Sequence, residues 1–281
     1  MSLFEFQLKK LSDVLPWGEE PDLYLHWFGL TDGIYYMNVG DEQLFRASTA
    51  IMEHWVKEYP DINVNDVYVD YQVVRLYEDL LEKLVDMLQP VPSEIHQLIS
   101  TQETQNHWTT QLWDIFESTD SEEIEDLYSV ATEWWNYHRS LSTMHLSEGP
   151  NIWIWNSGET VHIRWNSESK NINGIQPWTT VRGDYTLPLG EFREEILSFH
   201  ERFMDEMTYR IRQLMTDNPI PHIKIDMQSL EKEHEERKNS LNDALAKTPS
   251  VKNWDTVIEA INKLKGPNKA IPADAKSRAA E

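Results

Sequence analysis

At the start of the chain polar and apolar side chains alternate: Phe4, Phe6 and Leu8 are separated by Glu5 and Gln7. A period of two sends neighbouring side chains to opposite sheet faces, so this spacing predicts a strand. The aromatic run 24–28 reads as another strand and Thr31-Asp32-Gly33 as a turn. Residues 34–39 and 43–46 follow as strands separated by Gly40-Asp41. A small antiparallel meander accommodates them.

From Asp70 the period becomes helical. Val73, Tyr77, Leu80, Leu84 and Leu88 share a face with Val74, Leu81 and Val85, while Glu78, Asp79, Glu82 and Asp86 point elsewhere. Pro90 and Pro92 end the run. A second amphipathic helix is expected over 103–117, with Trp108, Leu112, Ile115 and Phe116 as its stripe. A third starts at Asp120, where Glu123 completes an Asp-x-x-Glu box and Glu122, Glu125 and Asp126 suit the positive helix end. Its inward residues are Ile124, Leu127, Tyr128, Ala131 and Trp135.

After Gly149-Pro150 the period returns to two. Ile152 and Ile154 alternate with Trp153 and Trp155, residues 156–159 turn the chain, and Val161, Ile163 and Trp165 alternate with His162 and Arg164. This is a β-hairpin. A further strand is expected near 178–182, and Pro188 opens a long helix with the stripe Phe192, Ile196, Phe199, Phe203, Met207, Ile211 and Leu214. Past Asn218-Pro219 a charged helix over 229–247 has only Leu230, Leu241 and Leu245 as an apolar set. A short helix through Trp254, Val257, Ile258, Ile261 and Leu264 follows.

The pattern as a whole is α+β: N-terminal antiparallel strands, central amphipathic helices, a second β-hairpin sheet and a long C-terminal helix. Residues 1–218 read as the core domain, divisible at 148/149 into two subdomains. Residues 219–265 read as an appended helical segment. Residues 266–281, rich in Lys, Ala and Pro without an apolar face, read as a flexible tail.

Several stretches carry a family resemblance. They are Met1-Ser2-Leu3-Phe4-Glu5-Phe6 with Pro16-Trp17-Gly18, then Leu25-His26-Trp27-Phe28-Gly29-Leu30-Thr31-Asp32-Gly33, and Arg75-Leu76-Tyr77-Glu78-Asp79-Leu80-Leu81. Trp134-Trp135 with Arg139-Ser140-Leu141, Gly149-Pro150, His162-Ile163-Arg164-Trp165 and Pro177-Trp178-Thr179 with Arg182-Gly183 complete them. Over roughly 1–215 the chain resembles a bacterial family with no assigned function, so the resemblance implies no activity.

Composition adds a size and a compartment. The 281 residues, 40% hydrophobic with 12 Trp, 11 Tyr and 8 Phe, are enough for a sizeable core. No run reaches the length of a membrane helix, and the first residues lack a basic region followed by an apolar one. The absence of Cys excludes disulfides, thiolate metal sites and Cys nucleophiles. A cytoplasmic protein is expected.

Charge changes the picture more. The net charge is −23. Residues 1–150 hold 7 Lys and Arg against 28 Asp and Glu, a balance of −21. Such a field repels nucleic acid and anionic lipid and speeds encounter with a basic protein.

Recognisable chemistry is sparse. There is no His-Glu-x-x-His, no EF-hand loop and no His pair at i,i+4; the nearest, His138 and His145, lie seven apart. Neither a Gly-x-Gly-x-x-Gly nor a Walker motif nor a Gly-x-Ser-x-Gly elbow occurs. No metal and no cofactor is therefore expected. Paired carboxylates are uninformative among 48 acids, and 12 Trp more often build a core than a sugar track.

Two functional readings stand. In the first, the chain is an acidic protein-binding module, of the immunity type that neutralises a basic toxin or other basic partner. Glu117, Asp120, Glu122, Glu123, Glu125 and Asp126 form its partner surface. In the second, Arg139, His162 and Arg164 form a surface that holds a small anionic ligand for an enzyme or sensor. A competing account of these three is structural, with Arg164 paired to an acid and stacked on an aromatic ring.

Overall fold

The computed structural model describes residues 2–59 and 67–266. The N-terminal sheet is built on β2 (Asp32–Val39), with β1 (Phe4–Leu8) antiparallel along one edge. β3 (Glu42–Leu44) and β4 (Val69–Gln72) share the other edge. The second sheet is the antiparallel series β5 (Asn151–Asn156), β6 (Thr160–Asn166) and β7 (Arg182–Pro188).

Nine α-helices complete the described residues: α1 (Thr49–Glu58), α2 (Val74–Leu88), α3 (Ser93–Ile99), α4 (Gln102–Glu117), α5 (Glu122–Asn136), α6 (Leu189–Thr216), α7 (Met227–Arg237), α8 (Ser240–Leu245) and α9 (Trp254–Lys265). The α+β class is thus as the pattern predicts. No helix of the described residues is long and apolar enough to cross a membrane.

The β5–β6 hairpin packs on both faces, which decides the architecture, while Arg182, Asp184 and Thr186 of β7 are exposed. Ile152, Ile154, Val161, Ile163 and Trp165 enter one hydrophobic core with α2, α6 and the N-terminal sheet. Along α6 every residue of the expected stripe, from Phe192 to Leu214, is buried there. Trp153 and Trp155, one position along β5 from the isoleucines, enter a separate cluster formed by α3, α4, α5 and α9 around Trp108, Trp134 and Trp135. Complete burial of each such side chain is worth roughly 1.5–3 kcal/mol relative to exposure, so both clusters are substantial.

Several local expectations are corrected. Residues 24–28 form no strand: Tyr24 makes isolated bridges to Trp17 and Lys224, and Leu25 and Trp27 turn into the core. The Asp120 box does not form, because α5 starts after Ser121. A capping box closes one helix earlier, between Thr101 and Thr104. The chain reaches α2 through β4 rather than directly, and the strand expected near 178 begins at Arg182.

The helix expected over 229–247 is two helices, α7 and α8. The appended segment 219–265 supplies Ile220, Ile223, Leu230 and Leu241 to the first core and Val257, Ile261 and Leu264 to the second. The scattered leucines gave a weak stripe because each helix buries only one of them, Leu230 in α7 and Leu241 in α8, while Leu245 is exposed. Gly266 caps α9 at φ 74°, a conformation that suits glycine. The expected flexible tail, beyond that residue, lies outside the described residues.

Candidate functional site

The cationic trio is internal framework. Arg164, on β6, is 1% exposed because α3 and α4 cover the strand face opposite Val161 and Ile163. Its Nε donates to Asp184 Oδ1 at 2.6 Å, Nη1 to Ile99 O at 2.8 Å and Gln105 Oε1 at 2.9 Å, and Nη2 to Ser100 O at 3.3 Å. The guanidinium thereby caps the C-terminal carbonyls of α3, which carry partial negative charge. It also lies 5.1 Å from the centre of the Trp155 ring.

Arg139 follows α5 and is fully buried between Trp134, at 5.4 Å, and Trp254, at 5.1 Å. Its Nη1 donates to Trp134 O at 3.1 Å and its Nη2 to Gln89 Oε1 at 3.3 Å. Burial lowers its pKa to about 10, against an opposing pull from Asp86, so it stays charged at neutral pH.

His162 is the partly accessible member. Its Nε2 is 2.7 Å from Ser157 Oγ, and its ring stacks on Trp155 at 4.8 Å with 9° between planes. His96 lies 5.0 Å away, and its Nδ1 accepts from Trp155 Nε1 at 3.3 Å. Burial, then His96 and Arg164, lower the His162 pKa to about 4. His162 and Arg164 therefore meet at one indole, while Arg139 belongs to another aromatic group. The exposed anion surface expected of the three is absent, because the strand period separates two faces without saying what covers each.

The acidic candidates lie differently. Glu117 ends α4, Asp120 sits in the turn, and Glu122, Glu123, Glu125 and Asp126 occupy the first turns of α5; all six are exposed. Among the described residues none of them forms an ion pair within 4 Å. Lys263, whose charge Glu123 feels, is bonded to Glu259 at 2.9 Å. Between Lys83 and Arg139 the chain has no Lys or Arg at all.

The sequence reading missed the aromatic centre of this corner. Trp113 of α4 is 48% exposed, 5.5 Å from Phe116 and 6.1 Å from Tyr128 of α5, and the last two rings stack at 4.7 Å. The signal was present as Trp113 lying off the stripe set by Trp108, Leu112, Ile115 and Phe116. An exposed aromatic face on an acidic corner attracts cations through both charge and ring quadrupole. Among the described residues no group of three or more His, Asp or Glu side chains is arranged to hold a metal.

No curated protein and no solved structure matches the chain. Residues 3–260 match the family of unknown function DUF5984, a span that includes α7, α8 and most of α9 and so runs past the 215 residues over which the resemblance was legible. On that coverage the chain belongs to DUF5984.

Proposed function

We propose that this protein is an acidic protein-binding module that receives a basic partner on the α4–α5 corner. The observation that carries the reading is Trp113, 48% exposed in a stretch with no Lys or Arg from 84 to 138. Exposed Trp is the residue type most enriched among interface anchors, and unpaired acids around it steer a basic surface into register. A cytoplasmic immunity-type role, neutralising a basic toxin domain, is the specific form of this proposal, because such a partner supplies the complementary charge.

The burial of Arg139 and Arg164, with both guanidinium groups bonded to main-chain carbonyls, favours this reading over a ligand site at those residues. The test uses the full chain as bait for basic proteins at low and high salt, beside a variant carrying Glu122→Lys, Glu125→Lys and Asp126→Lys. Capture that weakens with salt and in the triple variant is expected. A partner held equally well by both proteins would move the interface elsewhere, and the absence of any basic partner would refute the proposal.

A further inference from the structure

We infer that the groove between β5 and residues 140–149 binds a small sugar phosphomonoester. The groove encloses about 590 Å³, within the range of small-molecule sites. Lys83, in the last turns of α2, and Lys170, in the β6–β7 loop, both line it and are half-buried. Neither forms an ion pair within 4 Å among the described residues. The one acid on the wall, Glu148, is exposed, so the lining sets two cations against one carboxylate in a chain of net charge −23.

The rest of the wall suits a hydroxylated ring. The Asn136, Ser142 and Asn151 side chains line the groove and hydrogen-bond to nothing in the described residues. Trp153, stacked at 5.6 Å on Trp135, supplies an aromatic platform. The wall is preformed: Thr143 Oγ1 donates to Pro150 O at 3.0 Å, and a Cβ at Gly149 would lie 2.5 Å from Thr143 O. Preorganisation of this kind lowers the ordering cost of binding. Two ammonium groups would hold the phosphate as charge-assisted donors, and the amides and hydroxyl would bond the sugar.

The test is thermal melting of the full chain with glucose 6-phosphate or AMP at millimolar concentration, beside glucose, adenosine and inorganic phosphate. A ligand of the native state raises the midpoint in proportion to its occupancy. We expect a rise with at least one phosphorylated probe, the sugar and nucleotide arms identifying the body preferred. Lys83→Met and Lys170→Met should each weaken binding about tenfold or more while the unliganded proteins melt near wild type. The Glu122, Glu125 and Asp126 reversals should leave the response intact, which separates this site from the protein interface. No rise with either phosphorylated probe, or an equal rise in both lysine variants, would overturn the site. An equal rise with inorganic phosphate alone would overturn its sugar specificity.

Discussion

Asp86 holds Ser250 with both carboxylate oxygens: Oδ1 accepts from the Ser250 backbone N at 2.7 Å and Oδ2 from its Oγ at 2.9 Å. Gln89, the C-cap of α2, donates from Nε2 to Val251 O at 2.8 Å while its Oε1 receives Arg139. Two side chains at the C-terminal end of α2 thus fasten the segment that leads into α9. Because Asp86 is buried, its hydrogen bonds stand in for lost hydration. Asp86→Ala should cost about 3 kcal/mol in urea unfolding, and Ser250→Ala about 1 kcal/mol. Hydrogen exchange should quicken over α9 in both variants, and unchanged protection there would show that the fastening is redundant.

Arg164→Ala removes a buried cation and leaves the Ile99 and Ser100 carbonyls without their donor. A loss of about 3 kcal/mol is expected. Arg164→Lys should recover little of it, since one ammonium cannot reproduce a forked guanidinium. Urea titration measures both. Adding phosphate should not move the wild-type midpoint through this residue, so a phosphate effect lost in Arg164→Lys but retained in Lys83→Met would restore Arg164 as an anion site.

Acid should destabilise the protein through its partly buried histidines. His162 and His145 both have pKa values lowered to about 4 from 6.5, chiefly by burial, with His96 and Arg75 respectively adding to the effect. The unfolded chain therefore binds more protons between about pH 6.5 and 4, and the stability these groups contribute is lost as pH falls through that window. Asp79 has the opposite sign. It is buried without a hydrogen bond or an ion pair among the described residues, and burial raises its pKa to about 6 from 3.8. Its burial costs stability above pH 6 and is relieved on acidification. His162→Asn should flatten the acid limb, whereas Asp79→Asn should raise stability at pH 8 by about 1 kcal/mol and leave pH 4 unchanged. Urea midpoints across pH check both.

Trp113→Ala should leave the fold within about 1 kcal/mol of wild type, as its ring is half in water. Affinity for a basic partner should fall by about 2 kcal/mol or more, roughly thirtyfold, if the ring is the anchor. Titration calorimetry against such a partner decides it. Unchanged affinity would restrict the role of this corner to long-range attraction.

The elements with strong periodicity were legible in the sequence. The α2 and α6 stripes, the β5–β6 hairpin and the α4 boundaries follow from local pattern alone. The missed elements, α1, α3 and β4, are short and take their order from distant contacts, as where β4 pairs Asp70 with Ile34. Residues 24–28 misled because aromatic content favours strands, yet here Trp27 packs inward and bonds through Nε1 to His234 Nδ1. Of the candidate sites, the exposed acids could be read from charge, but the burial of Arg139 and Arg164 could not. Their partners, Gln89, Trp254, Ile99 and Asp184, come from up to 115 positions away along the chain.

The twofold burial of the β5–β6 hairpin also bears on fidelity of strand pairing. In a sheet with one wet face, a one-residue slip merely trades apolar for polar side chains. Here it would drive the indoles of Trp153 and Trp155 into space shaped for Ile152 and Ile154, and leave voids on the other side. Both errors are penalised at once, by crowding on one face and by emptiness on the other. The hairpin therefore has a single register in which the protein can close.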